Sequence, residues 1–138
     1  MNELTVGDLM TREVFALGPE DGLAALQDLM AERSVRHVPV VDRDGDLIGL
    51  VTHRDLLRTS LVDQADTPRF VEQTVLSRLK VGDLMTRDVE TIGPDSDIRE
   101  AAQTMYENKF GCLPVVEGRR LVGILTEADF VRLMARGH

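Results

Sequence analysis

The heptapeptide Val6-Gly7-Asp8-Leu9-Met10-Thr11-Arg12 recurs unchanged at Val81–Arg87. An internal repeat restricts a chain to folds built from copies of one unit, and this one extends well beyond the heptapeptide. Gly18-Pro19 matches Gly93-Pro94, Met30 matches Met105, and Pro39-Val40-Val41 matches Pro114-Val115-Val116, all at an offset of 75. One residue fewer in the next turn shifts the offset to 74. Leu47, Gly49, Thr52 and Asp55 then match Leu121, Gly123, Thr126 and Asp129. Between residues 6–56 and 81–130, 19 of 50 aligned pairs are identical, far above chance. The chain is a tandem duplication. Its organisation reads as repeat 1 over 1–62, a connecting segment over 63–80 and repeat 2 over 81–138.

Both copies fit one template. Val14–Leu17 and Val89–Ile92 are short apolar segments ended by Gly-Pro. Asp21 and Ser96, both favoured N-cap types, precede helical patterns. The apolar stripes are Leu23, Ala24, Leu26 and Met30 in the first copy, and Ile98, Ala101, Ala102, Met105 and Tyr106 in the second. Val38–Val41 and Leu47–Val51 are β-branched runs around Arg43-Asp44-Gly45-Asp46, an Asp-Gly hairpin signal. The second copy turns more tightly through Glu117-Gly118-Arg119-Arg120. Each copy therefore reads β-α-β-β-α, an α+β unit too small to bury much core alone. Between the copies, Thr67 as N-cap and Pro68 at the first helical position predict a connecting helix from Pro68 through Phe70 to Leu79, with Val71, Val75 and Leu79 on one face.

Each hairpin runs into Gly-x-x-Thr-x-x-Asp: Gly49, Thr52 and Asp55, then Gly123, Thr126 and Asp129. Thr at the cap with Asp three residues on is close to a capping box and satisfies orphan N–H groups at a helix start. The same geometry suits a ligand. A strand leading into a helix N-terminus offers N–H groups to an anion. An Asp one turn in can accept both hydroxyls of a ribose, and the Gly allows close approach to the backbone. Retention in both copies favours the second reading without removing the first.

The segment Ser34-Val35-Arg36-His37-Val38-Pro39-Val40-Val41-Asp42, followed by Gly-x-x-Thr-x-x-Asp, resembles a cystathionine β-synthase (CBS) domain. The resemblance covers Val6–Leu57 and Val81–Leu133, so the chain looks like two CBS repeats forming a Bateman module. It implies two repeats packed with pseudo-twofold symmetry and two clefts. The ligands it implies are adenosine-containing: AMP, ADP, ATP or S-adenosylmethionine, with no covalent cofactor. It also implies crossed sites, one joining Thr126 and Asp129 to Thr11, Val14, Arg36 and His37. The other joins Thr52 and Asp55 to Thr86, Val89, Gly111 and Cys112. Arg36 and His37 fall where relatives meet phosphate, so the Asp129 set is expected to prefer phosphorylated ligands. His53 and Arg54 keep the Asp55 set from being excluded. The implied role is a regulatory sensor that signals to a regulated protein partner, the alternative being a dimeric interaction module with vestigial clefts.

Composition excludes other classes. The net charge of −8, from 24 acids against 16 bases, argues against a nucleic-acid binder, whose affinity comes from Lys and Arg clusters. Apolar runs of about five residues fall far short of the roughly 20 that span a bilayer. Residues 1–11 lack a signal-peptide pattern, and the single cysteine, Cys112, suits a reducing compartment. A cytoplasmic location is expected. Cys112 reads more readily as a packing residue than as a nucleophile, and His37 could equally be a surface histidine. Histidines 37, 53 and 138 lack metal-ligand spacing. Asp42-Arg43-Asp44-Gly45-Asp46 mimics part of a calcium loop but lacks the Glu that such a loop carries at its twelfth position. Arg119-Arg120 reads as a solvated turn. No catalytic arrangement is present, so no enzyme activity is expected. Apolar helix faces left uncovered by a lone module predict a homodimer.

Overall fold

Each heptapeptide forms a single helical turn that docks on the Gly-Pro turn of the other repeat. The computed structural model describes residues 4–60 and 78–136. In chain order its elements are α1 (Val6–Leu9), α2 (Leu23–Arg33), β1 (His37–Val41), β2 (Leu47–Thr52) and α3 (His53–Ser60). Then follow α4 (Val81–Leu84), α5 (Ile98–Asn108), β3 (Cys112–Glu117), β4 (Arg120–Thr126) and α6 (Glu127–Arg136). The helix expected from Thr67-Pro68 onward lies outside the described residues, apart from helical Arg78 and its last apolar position. That residue, Leu79, packs against buried core.

The repeat boundaries and the compact units differ. Met1–Val14 joins Glu90–His138 in one unit, the flanking unit, while Phe15–Val89 forms the other, the central unit. Backbone hydrogen bonds give the reason. In the flanking unit, Val6 N donates to Ser96 O at 2.8 Å and Gly7 N to Pro94 O at 2.7 Å. In the central unit, Val81 N donates to Asp21 O at 2.8 Å and Gly82 N to Pro19 O at 2.9 Å. These are the first N–H groups of α1 and α4, which have no partner within their own helix. Beyond each turn the chain pairs once more. Thr11 bridges Ile124 in antiparallel fashion, and Thr86 bridges Leu50.

Each sheet has two named strands, β1–β2 and β3–β4, antiparallel. The register shifts opposite Val40/Val41 and Val115/Val116, leaving Ile48 and Val122 as the extra residues. Gly45 and Gly118 hold the hairpins at φ of +86° and +63°, where a side chain would be strained. The strand expected at the start of each repeat shrinks to one parallel bridge, Leu17 to Val40 and Ile92 to Val115. The Gly-Pro that follows stops the pairing, because Pro has no N–H to donate.

Three helix expectations need correction. The N-cap of α2 is Gly22, with no side-chain cap. The Asp21 carboxylate instead accepts from Gly18 N at 2.7 Å, closing the Gly-Pro turn. In the second repeat Asp97, not Ser96, caps α5 by accepting from Arg99 N, and the carbonyl of Ser96 is already engaged by Val6. The apolar stripes are also narrower than read. Leu23, Leu26 and Met30 are buried on α2, and Ala101 and Met105 on α5. Ala24 is exposed and Ala102 half-buried, and Tyr106 is 84% exposed. A short two-stranded sheet covers only one stripe of a helix.

The cores follow the swap. Val6, Leu9 and Met10 pack with Leu113, Val115 and Leu125, and Val81 with Leu26, Val38, Val40 and Val51. Two glycines admit the second half of each heptapeptide. A Cβ on Gly123 would lie 2.5 Å from Met10 Sδ and 3.1 Å from Thr11 O. On Gly49 it would lie 2.6 Å from Met85 Sδ and 3.0 Å from Thr86 O. A thioether can move, but the paired carbonyl cannot follow without loss of the bridge. Gly123→Ala should therefore destabilise the protein by about 1–3 kcal/mol, as overpacking does. Gly93→Ala, where the nearest atom is Ser96 Oγ at 4.0 Å, should shift stability by no more than about 0.5 kcal/mol. Urea midpoints of the two variants measure the difference.

Candidate functional site

The strand-to-helix junctions carry the polar side chains that the sequence singles out. In the central unit β2 ends at Thr52 and α3 begins at His53. The Asp55 carboxylate bends back, and its Oδ2 accepts from Thr52 N at 2.8 Å and Thr52 Oγ1 at 3.0 Å. The hydroxyl in turn accepts from Asp55 N at 3.2 Å. This is a reciprocal cap with Asp in place of Glu. Among the described residues no donor reaches Asp55 Oδ1, and the residue is only half-buried.

The flanking unit repeats the motif with two additions. Asp129 Oδ2 accepts from Thr126 N at 2.8 Å and, at 3.4 Å, from Thr126 Oγ1. Its Oδ1 accepts from Thr11 Oγ1 at 3.0 Å and pairs with Arg132 Nη2 at 2.8 Å. Asp129 is 1% exposed, the one buried charged residue among those described. A buried carboxylate needs partners for both oxygens, and here it has them. The Thr11 bond also ties the first heptapeptide to α6.

The sequence-derived residues fall into two groups by unit. The flanking unit contains Thr11, Val14, Gly111, Cys112, Thr126 and Asp129, and the central unit contains Arg36, His37, Thr52, Asp55, Thr86 and Val89. Within the central unit His37 pairs with Thr52 across the strands, and Arg36 O accepts from His53 N at 2.8 Å. Arg36 and His37, read from the sequence as companions of Asp129, are thus immediate neighbours of the Thr52 junction. Cys112 and Gly111 take the equivalent places beside Thr126 and Glu127. Cys112 is buried, and burial pushes its thiol up from 9.0 to about 12, so it stays protonated and serves packing. Gly49 and Gly123, read as openings for a ligand, lie under Met85 and Met10 of their own chain. Arg132 is the participant that sequence reading missed. It stands three residues after Asp129, and Arg58 stands three after Asp55, so one more step of the repeat alignment would have found the pair.

The CBS domain family model matches residues 6–61 and again 81–136. The chain belongs to the CBS domain family. AcuB from Vibrio cholerae is 32% identical, its structure superposes with a TM-score of 0.83, and the match covers 98% of this chain and 93% of that one. The crystal structure of CBSX2 in complex with AMP is 31% identical with a TM-score of 0.81, covering 96% of this chain and 97% of that chain; CBSX2 is an Arabidopsis thaliana protein. A CBS domain-containing protein of Dictyostelium discoideum is 33% identical over 142 residues, covering 97% of this chain and 93% of its own length. Other relatives are longer. The chain spans 42% of MJ1225 of Methanocaldococcus jannaschii and 25% of a homoserine O-acetyltransferase of Methanococcoides burtonii. The tandem CBS arrangement and the α+β fold read from the sequence are thus established. Among the described residues no helix is long and apolar enough to cross a membrane.

The two junctions should differ in what they contribute to folding. Asp129→Ala leaves the Thr11 hydroxyl and Thr126 N–H without their charged acceptor, while half-exposed Arg132 turns to water, a loss of about 2–3 kcal/mol from hydrogen bonds to a charged group. Asp55→Ala removes a cap and should cost about 1 kcal/mol. Chemical denaturation of the ligand-free variants tests this, and equal losses would show that burial of Asp129 adds nothing.

Proposed function

We propose that this CBS pair is a regulatory module, without chemistry of its own, that binds an adenosine-containing ligand and signals its presence to a protein partner in the cytoplasm. AMP, ADP, ATP or S-adenosylmethionine forms the ligand class. The observation that carries the reading is the AMP-bound relative CBSX2, aligned over nearly the whole of both chains. The Thr/Asp junctions supply the chemistry. A vicinal diol donates two hydrogen bonds, and the Asp55 carboxylate has Oδ1 open to receive them while Thr52 holds its other oxygen in place. Thr86 and Val89 belong to the same unit as this junction. Arg36, His37, His53 and Arg54 cluster around it in sequence and strand register. The two arginines give it local positive charge in a chain of net charge −8, which a nucleotide phosphate requires.

Enzyme names among the relatives do not oppose this reading. The chain matches only 22% of an inosine-5'-monophosphate dehydrogenase and 25% of the acetyltransferase, which supports a CBS part that accompanies catalysis done elsewhere in those proteins.

Asp55→Asn keeps the side-chain volume and removes the charged acceptor. A hydrogen bond to a charged group contributes roughly 1.5–3 kcal/mol, so AMP affinity at this junction should fall about 10- to 100-fold. Calorimetric titration with AMP and 2'-deoxy-AMP reads the change. The deoxy ligand should bind the native protein more weakly and lose little further on substitution. Unchanged AMP affinity in the variant would rule out Asp55 as the ribose acceptor.

Self-association is proposed as well. Leu57 on α3 and Val131 on α6 occupy equivalent repeat positions and are 51% and 66% exposed, with Met134 at 82%. Apolar side chains repeated in this way suit a homodimer interface. Light scattering should give twice the chain mass of 15.3 kDa at micromolar concentration, and Leu57→Lys with Val131→Lys should return the monomer. A native particle of single-chain mass would refute the dimer.

A further inference from the structure

The duplication allows a comparison within one molecule. Thr52 and Thr126, Asp55 and Asp129, and Arg58 and Arg132 are the same residues at the same repeat positions. Their bonding is not the same. Asp55 Oδ1 has no donor among the described residues, whereas Asp129 Oδ1 carries both the Thr11 hydroxyl and the Arg132 guanidinium. A carboxylate offers about four lone-pair positions. Four donors converge on Asp129, from Thr126 N, Thr126 Oγ1, Thr11 Oγ1 and Arg132 Nη2. It has no acceptor capacity left for a diol.

We propose that Arg132 is an intramolecular competitor for the ribose position at Asp129. It makes the two junctions of the ligand-free protein unequal, so that Asp55 fills first. This rests on the reading that the Asp carboxylates receive the ribose hydroxyls. Of the donors on Asp129, Arg132 is the one free to leave. Thr126 is fixed by its strand and Thr11 by its bridge to Ile124. The Arg132 side chain is 42% exposed, so it can swing into water and recover its hydration there. Filling the Asp129 junction then requires the ion pair to open, which lowers affinity without removing the site. The affinity difference between the junctions is therefore set by a residue that touches the carboxylate and need not touch the ligand.

The experiment titrates AMP into the native protein, Arg132→Gln, Arg58→Gln, Asp55→Asn and the double variant D55N/R132Q. 2'-Deoxy-AMP serves as the companion probe, and thermal unfolding verifies that each variant is folded. The native protein should bind one equivalent of AMP tightly and a second about 10-fold or more weakly, the effect of one charged hydrogen bond that must first be broken. Arg132→Gln should bring the second equivalent about 10-fold closer to the first, with Thr11 still holding the other position on Oδ1, and Arg58→Gln should leave both unchanged. Against the Asp55→Asn background, the double variant should bind AMP about 10-fold more tightly, and this gain should vanish with 2'-deoxy-AMP. A merely structural role for Arg132 would lower stability and affinity together and would not depend on the 2'-hydroxyl.

If native protein discriminates AMP from 2'-deoxy-AMP but D55N/R132Q binds no better than D55N, competition by Arg132 is refuted and the ribose reading stands. If native protein fails to bind AMP, or binds both probes equally, the ribose reading falls and the proposal with it. Should Arg132→Gln prove unstable, Arg132→Lys, which keeps the charge on a shorter stem without the planar fork, should show an intermediate gain. A loss of affinity there would also overturn the proposal.

Discussion

The fold depends on four backbone N–H groups, those of Val6, Gly7, Val81 and Gly82. A one-turn helix is unstable alone, since nucleation fixes several residues for a single hydrogen bond. Its leading N–H groups must also find acceptors from outside. Both needs are met by the carbonyls that surround the Gly-Pro turns, at 2.7–2.9 Å. Glycine at the second helical position is required because a Cβ there would come within 3.1 Å of Pro94 O in one unit and 3.0 Å of Pro19 O in the other. Once seated, the turn delivers Val6, Leu9 and Met10, or Val81, Leu84 and Met85, to a core that lacks them. Each heptapeptide completes the unit built on the other repeat's hairpin. The two copies face the same docking chemistry, which accounts physically for the shared Val, Gly, Leu, Met and Thr.

The swap also determines what the Thr/Asp junctions can be. Thr11 and Thr86 follow the docked turns and bridge β4 and β2, so each junction is bordered by a residue from a distant part of the chain. A lone helix cap needs no such neighbour. In the flanking unit the neighbour contributes a hydroxyl to Asp129, and the carboxylate becomes at once a cap, a cross-link and half of an ion pair. In the central unit the carboxylate is a cap with one oxygen that no donor reaches among the described residues. Capping and ligand binding are therefore compatible demands on one residue. A carboxylate held by its own helix start is already oriented, and orientation in advance reduces what binding must cost.

Much of this was legible in the residues. The duplication, the α+β class, the hairpins with Gly45 and Gly118, and the two Gly-x-x-Thr-x-x-Asp junctions follow from identity, β-branched runs and turn chemistry. What was illegible arises from long-range pairing. No local signal says that Val6–Arg12 belongs with Pro94 and Gly123 and not with Pro19 and Gly49, because the two heptapeptides are identical. The N-caps were misplaced by one residue for the same reason. Asp21 and Ser96 are good capping residues, but the Asp21 carboxylate closes its own turn while the carbonyls of both residues hold a docked helix. Gly49 and Gly123 did mark a close backbone approach, and what approaches is the chain itself. At the junctions, sequence singled out both aspartates but could not see that, among the described residues, only Asp129 has donors on both oxygens.

That inequality has a physical origin in burial. Asp129 and Asp55 share the same threonine three residues before and the same arginine three residues after, so that shared pattern does not separate them. A guanidinium gains little from a solvated carboxylate, where water competes and the pair is screened. It gains far more where water is excluded. Asp129, at 1% exposure, offers Arg132 such a partner, while half-buried Asp55 leaves Arg58 to the solvent. The Thr11 hydroxyl assists by holding Oδ1 in place, a second anchor that Asp55 lacks among the described residues. The shared Thr, Asp and Arg thus bond differently in the two units because their surroundings differ. On the proposal that these carboxylates receive a ribose, the divergence sets an order of occupation: the open carboxylate would respond at low ligand concentration and the self-paired one only when ligand is abundant.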